Sequence, residues 1–270
     1  MHRSGDPGPA NPAEAAAVAR LDDAARLCGW VGHDFDNILT GIMGFAELAQ
    51  AKLAPDSQAA AYLAELLRVA GDALAITTQL HSFHRSNEPN AKPTCVAAVC
   101  SADRFAGLPT AVRLEIGLPA DLPAVAVGAA PLQTIFDHLI RNAAEAMPAG
   151  GVIAVSARTV SPTDGISAAL PGPIPAGEYV ELAVADTGPG FHPAVAARAG
   201  REPFVTTKPR RRGLGLPTVL RTLAAHGGGL RIESSSRGTT VVVYLPVATL
   251  FSSAPARIAA GPTPLEVAPL

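Results

Sequence analysis

Near the start of the chain, apolar and small residues recur at Leu21, Ala24, Cys28, Val31, Phe35, Ile38, Ile42, Phe45 and Ala49. Their spacing alternates between three and four without a break, which is the a/d repeat of a helical coiled-coil seam. The repeat predicts a long helix over 12–54, roughly 60 Å at 1.5 Å per residue. Pro55 and Asp56 then make a turn. A second helix follows over 57–86, carrying Leu63, Leu66, Ala70, Ala73, Thr77 and Leu80 in similar spacing, with Tyr62, Val69, Ile76 and Phe83 widening its apolar face. Two antiparallel helices with faces this broad cannot bury them as an isolated hairpin. A second copy closing a four-helix bundle is the simple solution, and packing on the chain's own later residues is the alternative.

Beyond the linker-like EPNAKP the period shortens. Strands are expected at 112–116 and 124–127, an amphipathic helix at 130–147 and a strand at 152–160. A Pro/Gly-rich hairpin loop over 161–177 leads to a strand at 179–185. A basic loop, 191–213, precedes a helix at 214–226, and 230–234 with 239–245 form a closing hairpin about Ser236-Arg237-Gly238. The fold class is therefore α+β: a long antiparallel helical hairpin, then an α/β unit. The expected boundaries are a disordered tail at 1–17, the helical domain at 18–88, a linker at 89–93, the α/β domain at 94–248 and a second tail at 249–270.

Composition narrows the classes of function. A chain of 270 residues that is 48% hydrophobic supplies a core easily, and its net charge of −2 gives no reason to expect nucleic acid or an anionic membrane as partner. Cys28, Cys95 and Cys100 have neither metal-ligand spacing nor an even disulfide count, which suits a reducing compartment. No signal-peptide core is visible at the N-terminus, and no apolar run reaches the roughly 18–20 residues needed to insert in a bilayer. A cytoplasmic protein is expected.

Candidate chemistry sits in four stretches. In GHDFDNILTGIMGF (32–45), His33 falls at a solvent-facing f position of the seam, Asp34 is beside it, and Asn37 is one turn on. A lone histidine of this kind reads as a solvated surface residue. In LIRNAAEAMP, Asn142 shares a helix face with His138 and Glu145, and its amide oxygen is a hard donor suited to Mg²⁺. Asp186-Thr187-Gly188-Pro189-Gly190 ends a strand, where a carboxylate can accept an exocyclic amine and glycines admit a ligand to the backbone. In 202–219, EPFVTTKPRRRGLGLPTV, Gly213 and Gly215 precede a helix whose free N–H groups suit phosphate, with Lys208, Arg210, Arg211 and Arg212 nearby.

In this order and spacing, the motifs resemble the core of a sensor histidine kinase over residues 18–248. GHDFDNILTGIMGF is similar to the family's H box, LIRNAAEAMP to its N box, DTGPG to its first glycine box, EPFVTTK to its F box and RGLGL to its second glycine box. The resemblance implies a dimerisation and histidine-phosphotransfer domain followed by a Bergerat-type ATP-binding sandwich, of the kind shared with gyrase-like and MutL-like ATPases. It implies ATP and Mg²⁺ as cofactors, a homodimer, and the receiver domain of a response regulator as partner.

Carried over residue by residue, the resemblance makes His33 the phosphoacceptor and Asp34 the acceptor of its other ring proton. Asn142 would hold Mg²⁺, with Glu145 beside it. Asp186 would read adenine, Gly188 and Gly190 would shape the pocket, and Phe204 would anchor a lid. Thr207, Lys208, Gly213, Leu214 and Gly215 would lie near the phosphates, and Asn37 would orient water for dephosphorylating the regulator. Two features depart from the family pattern. His138 stands where Asn or Glu is usual, and the lid is short and arginine-rich. A phosphotransfer protein with a degenerate ATP-binding domain is the alternative function, and an ATP-gated interaction module is a further one.

Overall fold

The computed structural model describes residues 12–84, 92–166, 169–208 and 212–248. Helix α1 spans Pro12–Gln50 and α2 spans Gln58–His84. The first begins within the stretch expected as a disordered tail, because PAEAAA joins a first-position proline to strong helix formers. The remainder of that tail, 1–11, lies outside the described residues, as do 85–91 of the linker region and the tail at 249–270. A turn follows Gln50, and the Ser57 hydroxyl caps α2 by accepting from the Ala60 N–H at 3.2 Å.

The two helices pack along their length, but not through the predicted seam. The α1 residues buried in this chain are Leu21, Ala25, Cys28, Gly29, Gly32, Leu39 and Ala46. From Val31 onward this stripe runs one residue behind the a/d repeat, a rotation of about 100°. Val31, Phe35, Ile38, Ile42 and Phe45 all point outward. The reason is size: glycine and alanine let α2 approach closely, whereas the large side chains need a broader groove. A Cβ on Gly29 would lie 2.5 Å from the His84 ring, and one on Gly32 would lie 3.3 Å from His81.

After a short helix α3 (Val96–Val99) and a 3₁₀ turn (Ala102–Phe105) come β1 (Val112–Gly117), α4 (Ala129–Ala146), β2 (Gly151–Val160) and β3 (Tyr179–Asp186). A one-turn helix α5 (Pro193–Ala196), α6 (Gly215–Ala225), β4 (Gly229–Ser235) and β5 (Gly238–Pro246) complete the chain. The five strands form one sheet in the order β1-β2-β3-β5-β4. The β1–β2 pair is parallel and the other pairs are antiparallel. The strand expected at 124–127 is reduced to bridges from Val125 to Thr94 and Val247.

Helices α4 and α6 cover one sheet face. Leu132, Ile135, Phe136, Leu139 and Ile140 of α4 share a core with Val219, Leu220 and Leu223 of α6 and Ile153, Leu182 and Val243 of the sheet. Ala169 and Ile174, between β2 and β3, cover part of the other face, packing near Tyr179, Val242 and Tyr244. β5 is thus buried on both sides, which explains its unbroken Val-Val-Val-Tyr-Leu run. The hairpin joins this core through Leu21, Ala25, Cys28 and Phe83. Full burial of a side chain such as Phe83 contributes about 1.5–3 kcal/mol.

Candidate functional site

A cavity of about 530 Å³ lies between α4, the end of β3 and the segment entering α6. From α4 it receives His138, Asn142 and Glu145, whose spacing of four and three sets them on one face. The first residue of α6 sits against them. A Cβ on Gly215 would lie 3.1 Å from Asn142 Nδ2, 3.3 Å from its Oδ1 and 3.5 Å from His138 Nδ1. Glycine there permits the close approach of the helix end. Leu214, buried and also lining the cavity, occupies the N-cap position without a side-chain cap. First-turn N–H groups of an 11-residue helix are therefore left for a ligand or solvent, an arrangement that favours anions.

At the sheet side, Asp186 Oδ1 accepts from the backbone N–H groups of Gly188 (2.8 Å) and Thr239 (3.2 Å). Asp186 lines the cavity, and among the described residues no hydrogen bond reaches its Oδ2. The carboxylate is thus oriented by the backbone, with one oxygen left over for a donor. Pro189 and Gly190 line the wall beyond, while Gly188 itself lies behind, in contact with Asp186.

Described residues of the stretch between β3 and α6 complete the cavity lining. Thr207, Lys208 and Gly213 all line it, as does the exposed Arg212. Arg210 and Arg211 lie outside the described residues. Lys208 Nζ donates to the Asn142 carbonyl at 3.1 Å and stands 3.4 Å from Glu145 Oε2, tying the segment to α4. Gly213 has φ +66°, and a Cβ there would meet the Val205 backbone at 2.6 Å, so the two ends of the segment touch. Phe204, expected to anchor a lid, lies apart from the cavity wall. It is 54% exposed with φ +65°. Its neighbours Val205 and Thr206 face inward instead.

On the hairpin, His33 is exposed, as its f position requires. Asn37 Nδ2 lies 3.2 Å from His33 Nδ1, where the amide donates to an unprotonated ring nitrogen. Asp34 Oδ1 stands 3.7 Å from the same nitrogen. The two neighbours expected to work with His33 therefore compete for one ring atom.

Three residues that the sequence reading did not place in a site become visible here. Asp36 accepts from the Thr77 hydroxyl and lies 2.7 Å from His81 Nε2. Those contacts, the Thr77 hydroxyl foremost and then His81, hold its carboxyl below the usual range. The available signal was a charged residue on the small-residue face of α1. Arg221 of α6 is buried; its Nη2 donates to the His84 carbonyl at 2.6 Å, its Nη1 stands 3.5 Å from Asp22, and its guanidinium lies 5.3 Å from the centre of the Phe83 ring. Burial depresses its pKa, and Asp22 opposes that effect. An arginine inside LPTVLRTLAA was its signal. Gln79 of α2, a hairpin residue, also lines the cavity.

Comparison with known proteins agrees with this geometry. Residues 128–249 match the family model described as histidine kinase-, DNA gyrase B-, and HSP90-like ATPase. The chain is 27% identical over 239 residues to the sensor kinase CckA of Brucella abortus, covering 86% of this chain and 25% of that protein. It is 29% identical over 251 residues to the sensory histidine kinase/phosphatase NtrB of Rhodobacter capsulatus, covering 89% of this chain and 66% of that one. Among solved structures, full-length ShkA in complex with AMPPNP shares the fold at a TM-score of 0.63 and 22% identity, covering 83% of this chain and 46% of that one. The chain thus spans from about a quarter to about two thirds of these relatives' lengths.

Proposed function

We propose that this chain, whose residues 128–249 match the histidine kinase-, DNA gyrase B-, and HSP90-like ATPase model, phosphorylates His33 from ATP and passes the group to an aspartate of a response regulator. The observation that carries this reading is the pairing of an exposed histidine on the hairpin with a cavity whose two ends differ chemically. One end offers an oriented carboxylate, Asp186, to an adenine amine. The other offers the start of α6, Lys208 and Arg212 to phosphates.

Asn142 and Glu145 suit Mg²⁺. Among the described residues no cluster of three His, Cys, Asp or Glu side chains forms a metal cage. Mg²⁺ commonly binds through one or two protein oxygens together with substrate phosphates, and Asn142 stands where such phosphates would enter. When bound, Mg²⁺ would offset the charge of the transferring group.

In transfer, an unprotonated His33 ring nitrogen attacks the γ-phosphorus, the bond to the bridging oxygen breaks, and ADP leaves with that electron pair. For Nε2 to attack, Nδ1 must carry the proton and lose it afterwards. Asp34 is the group to receive it, once Asn37 has turned away from that nitrogen. In the reverse direction Asn37 orients water toward a docked phospho-aspartate, without acting as a base.

The outward face of Val31, Phe35, Ile38, Ile42 and Phe45 supports a homodimer closed as a four-helix bundle. Among the described residues no helix is long and apolar enough to cross a membrane.

Incubation with labelled ATP tests the reading. Wild type should acquire acid-labile, base-stable label and His33→Gln none, with nucleotide binding retained. Label persisting in that variant would move the acceptor elsewhere, to His81 or His84. For the reverse reaction, Asn37→Ala should slow loss of label from a purified phospho-regulator while leaving autophosphorylation intact, and equal decay would remove Asn37 from that role.

A further inference from the structure

The cavity wall is not made by the ATP-binding domain alone. Gln79 belongs to α2, on the far side of the linker, yet it stands among the residues lining the cavity. What holds it there is visible one turn further along α2. Phe83, four residues on and therefore on the same helix face, is completely buried, with the Arg221 guanidinium over its ring. Arg221 is fixed in turn by the His84 carbonyl at 2.6 Å and by Asp22 at 3.5 Å. One turn before Arg221 on α6 is Pro217, and it too lines the cavity. The Phe83–Arg221 contact thus clamps α2 against α6 with Gln79 and Pro217 one turn back on their respective helices. Gln79 therefore shares the cavity wall with Pro217 in the first turn of α6, the turn whose Gly215 meets Asn142. It is half-buried, and among the described residues its carboxamide makes no hydrogen bond. A carboxamide has two N–H donors and no charge. It can therefore bind a phosphate oxygen without adding to the cationic field of Lys208 and Arg212.

On the reading of this cavity as an ATP site, we propose that Gln79 is a nucleotide-positioning residue supplied by the hairpin, its amide donating to the terminal phosphate of the bound nucleoside triphosphate. The nucleotide then bridges the two domains. The contact exists for a triphosphate and is absent for a diphosphate, so the domain arrangement clamped by Arg221 favours ATP over ADP. After transfer, the product loses the bond that held it to the hairpin.

Titration calorimetry on the full chain tests this, with ATP and ADP each measured against wild type, Gln79→Ala and Gln79→Glu. A lost hydrogen bond to a charged group predicts that Gln79→Ala weakens ATP binding about tenfold or more and leaves ADP binding unchanged. Gln79→Glu, which sets a carboxylate against the phosphates, should weaken ATP binding further. Circular dichroism should show the helical content of both variants unaltered. An unchanged ratio of ATP to ADP affinity in Gln79→Ala would overturn the proposal, whether both affinities fall together or neither moves. Failure of wild type to bind either nucleotide would instead overturn the ATP-site reading on which it rests.

Discussion

In the ATP-binding domain, β5 alternates Val241, Val243 and Leu245 toward the helices with Val242 and Tyr244 toward the covering loop, and every one of these side chains is buried. In the hairpin, Trp30, Phe35, Ile38, Phe45, Leu48 and Tyr62 are each more than half exposed. Both regions are rich in apolar residues, so hydrophobicity does not distinguish them. What differs is closure. A sheet covered on both faces buries its apolar side chains without help, while a two-helix hairpin has one inner stripe and must leave its second face for another surface. An apolar face of this extent marks an interaction site. The difference teaches that one region closes its own core, whereas the other leaves a broad apolar face uncovered.

Placing aspartate in each region breaks the comparison most directly. Leu220→Asp puts an unpaired charge in the closed core, costs several kcal/mol, and should abolish cooperative unfolding as followed by circular dichroism. Ile38→Asp combined with Ile42→Asp should leave the single chain folded, since both positions face solvent within it. Light scattering should then show a dimeric wild type and a folded monomeric variant. A wild type that is monomeric at micromolar concentration would refute the bundle, and the exposed face would need another partner.

A smaller effect separates the two ends of the cavity. Asp186→Asn removes the charged acceptor for an adenine amine, which should weaken ATP binding by roughly 1.5–3 kcal/mol, about 10- to 150-fold. Because Gly188 and Thr239 donate to this side chain, the amide variant retains an oxygen for them and the fold should hold. Calorimetry showing unchanged affinity would remove Asp186 from nucleotide recognition.

The smallest effect concerns the Asp36, Thr77 and His81 cluster between the two hairpin helices. Asp36 is held below its ordinary value by the Thr77 hydroxyl and by His81. A depressed carboxyl pKa contributes stability that is fully present above the unfolded value, near 3.9, and is lost as pH falls through the folded value. The thermal midpoint of wild type should therefore decline below about pH 4 more steeply than that of Asp36→Asn. Parallel curves would show that the pair adds nothing beyond its packing.

Much of the fold was legible because local periodicity reports it. The two long helices, all five strands at nearly their full lengths, and the α4 and α6 positions follow from spacing and turn residues. The first strand of the sheet was equally visible, but its parallel pairing with β2 was not, because pairing joins segments distant in sequence. The motif residues Asn142, Asp186, Lys208 and Gly215 were named from the chain, and the fold gathers them around one cavity. Phe204 was named too, but a left-handed backbone turns it outward.

A heptad repeat fixes which residues share a face, yet it does not say which of two adjacent faces meets which neighbour. Glycine and alanine at 25, 29 and 32 gave α2 the closer approach, and so turned the predicted seam outward. Arg221, Phe83 and Gln79 lie far apart in sequence, and no spacing rule connects them. Their meeting was decided only when the hairpin docked on α6, because burying a guanidinium requires partners that the tertiary structure alone can supply.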